Sequence, residues 1–351
     1  MKKYNKGEWS ELYAVCRMLY DQMVDVCDSE LKPTEQKIKI LKLLMRSMLG
    51  DSEYNVDGEK NGDVSIFYNG KKVKSANLSK ELVLSILQEI ISNSGASFNV
   101  PSGEAAMSEL LLADFKASSY EKSDIESYSI MPHEEIARKV GFSVKSQVGG
   151  PATLLNASQA TNFIFEVTGY NGDLDSVNNI VGRSKVKDRM KYIVDHDGEF
   201  MFYKVANETF QHNIEMTDSR LSEIISGLLM VFFAGSGTRS VRMLIEDYVS
   251  IFDDVSLEMA SKKVEDFLCN IALGMIPTRI WDGTALGGGC IFVKEDGNLV
   301  CFTLYDMDDF KSYLLNNTKF ETASTTRHQF GTLYEEDGRL FFNLNLDIRF
   351  I

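Results

Sequence analysis

The stretch YEKSDIESYSIMPHEEIARKVGFSVKSQVGGPATLLN, residues 120–156, decides the fold that we predict. Within it, residues 124–130 (DIESYSI) alternate in a way that predicts a β-strand. Residues 140–148 (VGFSVKSQV) alternate again and end at Gly149-Gly150-Pro151, which predicts a second strand followed by a turn. One face of that second strand carries Ser143, Lys145 and Gln147. Two adjacent strands of this kind can bring an acid, Asp124, and a lysine to one edge of a sheet.

An acid and a lysine at one sheet edge can support a specific chemistry. A carboxylate such as Asp124 can hold a divalent cation, and a nearby lysine can orient or deprotonate a water molecule. These are the minimal groups for metal-assisted hydrolysis of a phosphodiester. The PD-(D/E)XK nucleases have an acid followed by (Asp/Glu)-x-Lys, and here Ser143 stands where the second acid is expected. An exposed hairpin with a solvated Lys145 is the alternative interpretation of the bare pattern.

Seven short segments, spread in order along the chain, extend this interpretation. They are KGEWSELY (6–13), GFSVKSQ (141–147), TLLNAS (153–158), TNF (161–163), NTKFET (317–322), RH (327–328) and NLNLDIRF (343–350). They resemble the HpaII family of type II restriction endonucleases. The resemblance implies a PD-(D/E)XK enzyme that cuts double-stranded DNA with Mg²⁺, at CCGG as the namesake does.

The resemblance also implies roles for individual residues. Asp124 and the backbone carbonyl of Val144 are expected to bind Mg²⁺, with Glu11 as a supplementary ligand. Lys145 is expected to position the attacking water or to stabilise the developing charge. Two further residues on the Lys145 face belong to the expected site, namely Ser143 and Gln147. The hydroxyl of the first can bond a water in the site, and the amide of the second can touch the phosphate or cap the strand.

The supplementary acid is the least determined part of this site. The acids that we considered are Glu8, Glu11, Glu104 and Glu109. The first two lie on a helix predicted at residues 7–22 from its apolar stripe, and PD-(D/E)XK folds often take a glutamate from the helix before the sheet. Glu11 is preferred because it lies further from the fraying end of that helix. The alternative for Glu8 and Glu11 is a pair of first-turn acids favoured by the helix dipole, and for the other two it is a solvated helix face.

A run of bases at residues 183–191 is the first candidate for DNA contacts. The residues that we assign to DNA binding in it are Arg183, Lys185 and Lys187. Bases of this kind give affinity for the phosphate backbone and salt dependence without reading sequence. A solvated face is the alternative. The segment 235–240 (GSGTRS) precedes a predicted helix and could cradle an anion, although a capped helix–helix turn is the alternative there.

The polar segment 319–331 is the second candidate for DNA contacts. The residues that we assign to DNA binding in it are Arg327, His328 and Gln329. Arginine can make a bidentate contact to guanine, and glutamine can read other base edges. Contacts to phosphate are equally open, and a plain surface loop is the alternative.

Composition sets the outer bounds of the interpretation. The chain has 351 residues, 44% hydrophobic and 25% charged, which is typical of a globular protein. The sequence contains no run of eighteen apolar residues, so no membrane span is predicted. Its first residues lack the pattern of a signal peptide. Five cysteines without a CxxC pair predict reduced thiols and a cytoplasmic protein. The net charge of −14 opposes DNA binding unless bases cluster on one face.

The predicted fold class is α/β (α+β), with a PD-(D/E)XK core made of a mixed sheet flanked by helices. The predicted parts are residues 1–175, with the nuclease core, and residues 176–351, with a largely helical insertion and a C-terminal β-rich segment for recognition or dimerisation. The other predicted helices are 34–49, 79–93, 103–115 and several between 217 and 273. The other predicted strands are a hairpin at 63–75, a strand at 162–168, a hairpin at 290–305 and a closing strand at 341–350. The order strand–strand–helix–strand from 124 to 168 predicts a parallel crossover.

Other functions and partners remain open from the sequence. A repair or junction-resolving nuclease on the same core is one alternative, and a non-catalytic DNA-binding protein with a decayed site, suggested by Ser143, is another. A restriction enzyme needs a DNA methyltransferase as its functional partner. A palindromic target suits a homodimer, but a monomer acting twice is the alternative.

Overall fold

The computed structural model describes residues 2–56, 58–113, 123–235 and 237–351. Its helices are α1 (Lys6–Asp21), α2 (Lys80–Ser92), α3 (Pro101–Glu109), α4 (Leu174–Asn178), α5 (Lys185–Asp195), α6 (Glu208–Thr217), α7 (Leu221–Ala234), α8 (Val241–Phe252), α9 (Leu257–Ala272), α10 (Met307–Asn317) and α11 (Thr325–His328). Its strands are β1 (Met23–Cys27), β2 (Pro33–Ser47), β3 (Gly50–Val56), β4 (Asp63–Tyr68), β5 (Lys71–Asn77), β6 (Ile125–Ile130), β7 (Arg138–Ser146), β8 (Thr153–Leu155), β9 (Asn162–Thr168), β10 (Glu199–Val205), β11 (Gly289–Val293), β12 (Leu299–Phe302), β13 (Thr318–Phe320), β14 (Leu333–Glu336), β15 (Arg339–Asn345) and β16 (Ile348–Phe350). The predicted mixture of α and β structure is confirmed.

The chain forms two compact units, each built from several segments. The first unit is Met1–Ala152, Ala272–Gly274 and Ala285–Phe310, and the second is Thr153–Ile271, Met275–Thr284 and Lys311–Ile351. The hairpin of β11 and β12 therefore belongs to the first unit, although it lies late in the sequence. The division into functional parts at residue 175 stays a prediction.

The first unit is organised around a nine-stranded sheet. The strand order is β1-β12-β11-β7-β6-β2-β3-β4-β5. Because β1 pairs with β12 on one side and with β2 on the other, six of these strands close into a barrel. The helix α1 contributes Trp9, Leu12 and Tyr13 to the core of this unit, and all three side chains are fully buried. This is the apolar stripe that predicted a helix at 7–22.

The helix predicted at 34–49 is wrong, because Pro33–Ser47 form the long strand β2. Its pairing with β6 shifts register between Ile40 and Lys42, which marks a β-bulge. The buried apolar positions are therefore Ile38, Ile40 and then Leu43. A bulge inserts one residue and shifts the alternation. The resulting mixture of spacings of two and three imitates a helical period, which is why the helix prediction was wrong.

Shorter elements of the first unit follow the sequence more closely. The hairpin of β4 and β5 turns at Asn69 and Gly70, whose φ angles of 50° and 72° are those of the predicted type I′ turn. The helix predicted at 79–93 is observed as α2. The helix predicted at 103–115 is observed as α3, which begins two residues earlier and ends at Glu109, so the predicted extension through residues 110–113 is wrong. Residues 114 and 115 lie outside the described residues.

The second unit contains two smaller sheets beside its helices. One has the order β10-β9-β15-β14 and the other the order β13-β16-β8. The closing strand predicted at 341–350 is in fact two strands, because β15 pairs with β9 while β16 pairs with β13 and β8. The helical region predicted between 217 and 273 is confirmed as α7, α8 and α9.

The predicted order strand–strand–helix–strand is wrong as a description of one sheet. The strand β9 does not join β6 and β7, and it pairs antiparallel with β10 and β15. The parallel neighbour of β7 is β11, with Ile291 opposite Val144. Sequence alternation identifies a strand, but it does not say which sheet the strand enters.

Within the described residues, none of the helices is both long enough and apolar enough to cross a membrane.

Candidate active site

The carboxylate of Asp124 is held against the neighbouring strand at the start of β6. Its Oδ2 atom accepts a hydrogen bond from the backbone N–H of Val144 at 2.6 Å and another from the hydroxyl of Ser143 at 3.2 Å. The backbone N–H of Asp124 donates to the carbonyl of Phe142 at 2.9 Å. One oxygen of the carboxylate is thereby fixed, while Oδ1 makes no hydrogen bond within the part of the chain that the structure describes.

The register of β6 and β7 produces this arrangement. Ile125, the first residue of β6, lies opposite Phe142 in the antiparallel pair. Asp124 comes just before this last pair of the ladder, and its backbone N–H also reaches the Phe142 carbonyl, which brings its side chain to Ser143 and Val144. A close approach at Gly141 helps, because a Cβ atom there would lie 2.7 Å from the Cβ of Ser123. Any larger residue at this position would push the chain before Asp124 away from β7.

Lys145 and Gln147 continue the face of β7 that carries Ser143. Both are half-buried. Among the described residues, the Lys145 ammonium makes no ion pair or hydrogen bond, whereas Lys139 on the same strand pairs with Glu126 at 2.9 Å. The backbone N–H of Gln147 donates to the carbonyl of Val293 on β11 at 2.9 Å. Lys145 thus has no charged partner among the residues that the structure describes.

The backbone of Val144 faces the same side as the Asp124 carboxylate. In an extended strand, the N–H and C=O of one residue point to the same side, and the Val144 N–H is directed at Asp124. Its carbonyl oxygen is therefore directed to the side where β6 begins. A carboxylate oxygen and a carbonyl oxygen are hard donors, which suit Mg²⁺.

The described residues contain no group of three or more His, Cys, Asp or Glu side chains placed to hold a metal ion. Mg²⁺ is commonly bound through one or two carboxylates, several waters and substrate phosphates. The donor set of Asp124 and Val144 fits this mode of binding.

The helix α1 packs beside β7 through a pair of serines. The hydroxyl of Ser146 donates to that of Ser10 at 2.8 Å, and the Ser10 hydroxyl donates to the Lys6 carbonyl at 2.8 Å. Glu11, half-buried, is the next residue of α1. By strand alternation Ser146 and Ser143 face opposite sides of β7. Its role as a metal ligand stays a prediction.

Three of the rival acids have structural partners. Glu8 forms a capping box with Asn5, with bonds of 2.8 and 2.9 Å that satisfy the first turn of α1. Glu109 pairs with Lys74 at 3.0 Å and accepts from the backbone of Asn77 at 3.1 Å. The hydrogen bond from Lys74 lowers the pKa of Glu109 below its ordinary value. A third rival, Glu104, accepts a hydrogen bond from the backbone N–H of Lys2.

Sequence reasoning did not identify Lys6. Its side chain lies along Gly149 just after β7, so that a Cβ atom on that glycine would be 2.2 Å from the Lys6 ammonium nitrogen. Gly149 also has a φ of +83°, which favours glycine. The sequence signal for this contact was the Gly149-Gly150 pair, which we interpreted only as a turn.

The basic run at 183–191 divides into different environments. Arg183 and Lys187 are exposed, whereas Lys185 is half-buried. Arg189 is buried and donates to the carbonyls of Ile180, Gly331 and Asn178 at 3.1, 2.5 and 2.5 Å. Burial lowers the pKa of Arg189 from its ordinary value. The run is therefore not a single solvated face, because one of its bases is a structural residue.

The C-terminal polar segment is a short helical turn and not a plain loop. Arg327 and His328 end α11, and Gln329 follows with a φ of 54°. The side-chain amide of Asn162 donates to the carbonyls of His328 and Gln329 at 2.9 and 3.3 Å. The backbone of the turn is therefore anchored while the Arg327 and Gln329 side chains are exposed. Their contacts to DNA stay a prediction.

Comparison with known proteins supplies the class and the family. The sequence profile described as HpaII restriction endonuclease matches residues 5–350. The type II restriction enzyme HpaII of Haemophilus parainfluenzae is 34% identical over 358 residues, covering 99% of this chain and 98% of the relative. No solved structure matches significantly. A chain that matches over this length is a type II restriction endonuclease, a site-specific deoxyribonuclease. It belongs to the HpaII restriction endonuclease family.

Proposed function

We propose that the chain cuts double-stranded DNA at CCGG, with Mg²⁺ held at Asp124 in a PD-(D/E)XK-type site. The observation that carries the proposal is the Asp124 carboxylate, with Oδ2 fixed by Val144 and Ser143 and Oδ1 without a hydrogen bond from the described residues. The antiparallel pair of β6 and β7, with the parallel strand β11 beside it, supports a nuclease core of this type. The choice of CCGG rests on similarity to the HpaII relative.

The residues that would hold Mg²⁺ are Asp124, through Oδ1, and Val144, through its carbonyl, with Glu11 as the expected supplementary acid. When bound there, the ion would polarise the scissile phosphate and lower the pKa of a water. Ser143 donates to Asp124 and so keeps the carboxylate oriented. It adds no second charge, in contrast to the acid of the common pattern.

Lys145 provides the positive charge of the site. Its ammonium can hold the attacking water and stabilise the charge that develops on the phosphate, because preorganised donors act strongest in the transition state. Gln147, further along the same face, would donate its amide to a phosphate oxygen. Lys145 lies opposite Phe292 of the parallel strand β11, and the backbone N–H of Gln147 donates to the carbonyl of Val293, so β11 holds the backbone of both residues.

The remaining parts of the proposal concern DNA and other partners. Arg183, Lys185 and Lys187 are proposed as backbone contacts, and the α11 turn with Arg327, His328 and Gln329 as a contact to bases or phosphates. A cognate DNA methyltransferase is the expected functional partner, since host sites need protection. A homodimer would match a palindromic site by two-fold symmetry.

The decisive test compares Lys145→Ala with Lys139→Ala on the same strand. Loss of the Lys145 ammonium removes a transition-state donor, so we expect cleavage to fall by about 10³-fold or more. Binding to a specific duplex, measured without Mg²⁺, should stay near the wild-type value. Lys139→Ala removes an equal charge from a surface pair and should cut normally. Wild-type cleavage by Lys145→Ala would overturn the site assignment.

Digestion of a DNA of known sequence with Mg²⁺, followed by mapping of the ends, tests the recognition site. We expect discrete bands with ends at CCGG, lost when the DNA has been methylated at that site. Bands with ends at another sequence would support the assignment as a restriction nuclease and identify a different recognition site. Structure-specific nicking would favour a junction or repair enzyme. Binding without any cleavage would favour a decayed site, for which the serine at 143 is the specific indication.

A further inference from the structure

A basic and aromatic cavity lies inside the second unit, and none of its lining residues belongs to the proposed catalytic site. Its volume is about 300 Å³. Its lining includes Arg183 and Lys187 from the start of α5, Phe232 from α7 and Arg239 from the segment before α8. This volume lies at the small end of ligand pockets, so the cavity can receive one small molecule or one nucleotide, and not a double helix.

Specific contacts bring the three segments together. The Lys187 ammonium donates to the carbonyl of Gly235 at 2.8 Å, which connects α5 to the end of α7. The backbone N–H of Phe320 donates to the carbonyl of Arg239 at 2.8 Å, which ties the segment before α8 to β13. The Arg239 guanidinium pairs with Glu321. The cavity therefore has a defined wall, although Ser236, which belongs to the predicted anion-binding segment, lies outside the described residues.

The charge of the cavity contrasts with that of the chain. Three cations, Arg183, Lys187 and Arg239, line it, and the described lining contains no Asp or Glu. The chain as a whole carries a net charge of −14. Arg183 makes no ion pair or hydrogen bond within the described residues. A concentration of one charge sign in a concave site attracts the opposite charge and raises its local concentration.

Backbone donors add to this preference for anions. The first hydrogen bond of α5 runs from the Asp188 N–H to the Ser184 carbonyl, and Ser184 makes no side-chain cap bond. The preceding N–H groups of this turn have no acceptor within the helix. The Ser184 residue is part of the cavity wall. Cations, backbone N–H groups and a hydroxyl together form a typical environment for a phosphate.

One wall of the cavity is aromatic. Phe232 is half-buried, and its ring meets Phe320 edge-on at a centroid distance of 5.8 Å. Phe233 is buried and packs edge-on against Phe330 at 5.9 Å. The second pair supports the wall, while Phe232 offers ring surface to the cavity. A phosphate alone needs no such surface, whereas a nucleotide can place its base or sugar on it.

We propose that this cavity binds one nucleotide, with its phosphate at Arg183, Lys187 and Arg239 and its base or sugar on Phe232. The nucleotide has two sources, a free deoxynucleoside 5′-monophosphate or a nucleotide of a DNA strand. Only the second source rests on the proposed function of DNA cleavage.

The first experiment titrates the full chain with dCMP, dGMP and inorganic phosphate, without divalent ions, by calorimetry. We expect the monophosphates to bind more tightly than phosphate by about tenfold, which is the contribution of one stacked ring. Arg183→Ala should weaken the binding of dCMP by about tenfold, because it removes one charge-assisted contact. Lys204→Ala removes an exposed cation of β10 outside the cavity and serves as the control. Phe232→Ala should reduce the affinity for dCMP to that for phosphate. The affinity of Phe232→Leu for dCMP should lie between those of the wild type and Phe232→Ala.

The second experiment measures duplex binding over a range of salt concentrations without Mg²⁺. If the nucleotide comes from the strand, Arg183→Ala should reduce the slope of log affinity against log salt by about one, and Lys204→Ala should not. Loss of dCMP binding with an unchanged slope assigns the cavity to free nucleotides. A reduced slope without dCMP binding assigns it to the strand. The proposal is overturned if Arg183→Ala and Lys187→Ala change neither quantity.

Both measurements are repeated in the Lys145→Ala protein. Cavity binding should be unaffected by that substitution, because neither measurement requires cleavage. Failure of cleavage and failure of nucleotide binding are therefore separate results. Thermal unfolding of each variant shows whether a lost affinity comes from a lost fold.

Discussion

The proposed catalytic edge and the basic cavity are assembled in different ways. Asp124 immediately precedes β6 and Lys145 lies on the adjacent strand β7, so the pairing of these two strands determines where both residues lie. The cavity instead takes Arg183, Phe232 and Arg239 from three separate segments that share no β-ladder. Groups for the chemical step need accurate placement, and a paired strand provides it. Groups that hold a phosphate by charge tolerate a less rigid support.

The largest expected effect distinguishes the charge of Asp124 from its shape. Asp124→Asn keeps a side-chain oxygen for the Val144 and Ser143 hydrogen bonds but removes the negative charge. We expect cleavage to fall by about 10³-fold, which corresponds to about 4 kcal/mol, and to need more Mg²⁺. Steady-state cleavage against Mg²⁺ concentration measures this. Glu126→Gln, on the same strand, is the control, and normal cleavage by Asp124→Asn would remove the site from this edge.

The second effect tests whether the basic run is one functional surface. Arg189→Met leaves three carbonyls without their donor, so we expect the free energy of unfolding to fall by about 3 kcal/mol. Urea denaturation measures the change. Arg183→Met, at an exposed position, should alter stability by no more than about 0.5 kcal/mol. Equal losses in the two variants would contradict the structural role of Arg189.

The third effect concerns the α11 turn. Arg327→Ala should weaken specific DNA binding by about 30-fold if the guanidinium reads a base, with discrimination lost at one position of the site. A phosphate contact would instead weaken all sequences alike. Competition binding with single-base variants of the target separates these outcomes. Affinity equal to that of Lys204→Ala for every duplex would exclude Arg327 from the interface.

The smallest effect separates the two acids of α1. Glu11→Gln should lower cleavage by about tenfold and raise the Mg²⁺ requirement, because it removes a supplementary ligand. Glu8→Gln should cut normally, since glutamine also completes a capping box. Mg²⁺ titrations of both variants measure the difference. If Glu11→Gln cuts as well as Glu8→Gln does, neither acid of α1 is a metal ligand.

Several features of the candidate site followed from local sequence. The alternation at 124–130 and 140–148 predicted β6 and β7, and the Asn69-Gly70 dipeptide predicted the turn of the β4–β5 hairpin. These predictions succeed because side-chain direction in a strand and φ at a turn depend on neighbouring residues alone. The apolar stripe of α1 belongs to the same class of signal.

Other features depended on contacts between distant segments. The bulge in β2 made a strand resemble a helix, and the parallel neighbour of β7 came from β11 near the other end of the chain. The burial of Arg189 among three carbonyls, the position of Lys6 on Gly149 and the wall of the basic cavity have no local signature. The sequence alone therefore determined the family, the two strands and the acid and lysine that they carry. Only the tertiary structure decided which bases are free to bind an anion, because burial and partners are properties of the packed chain.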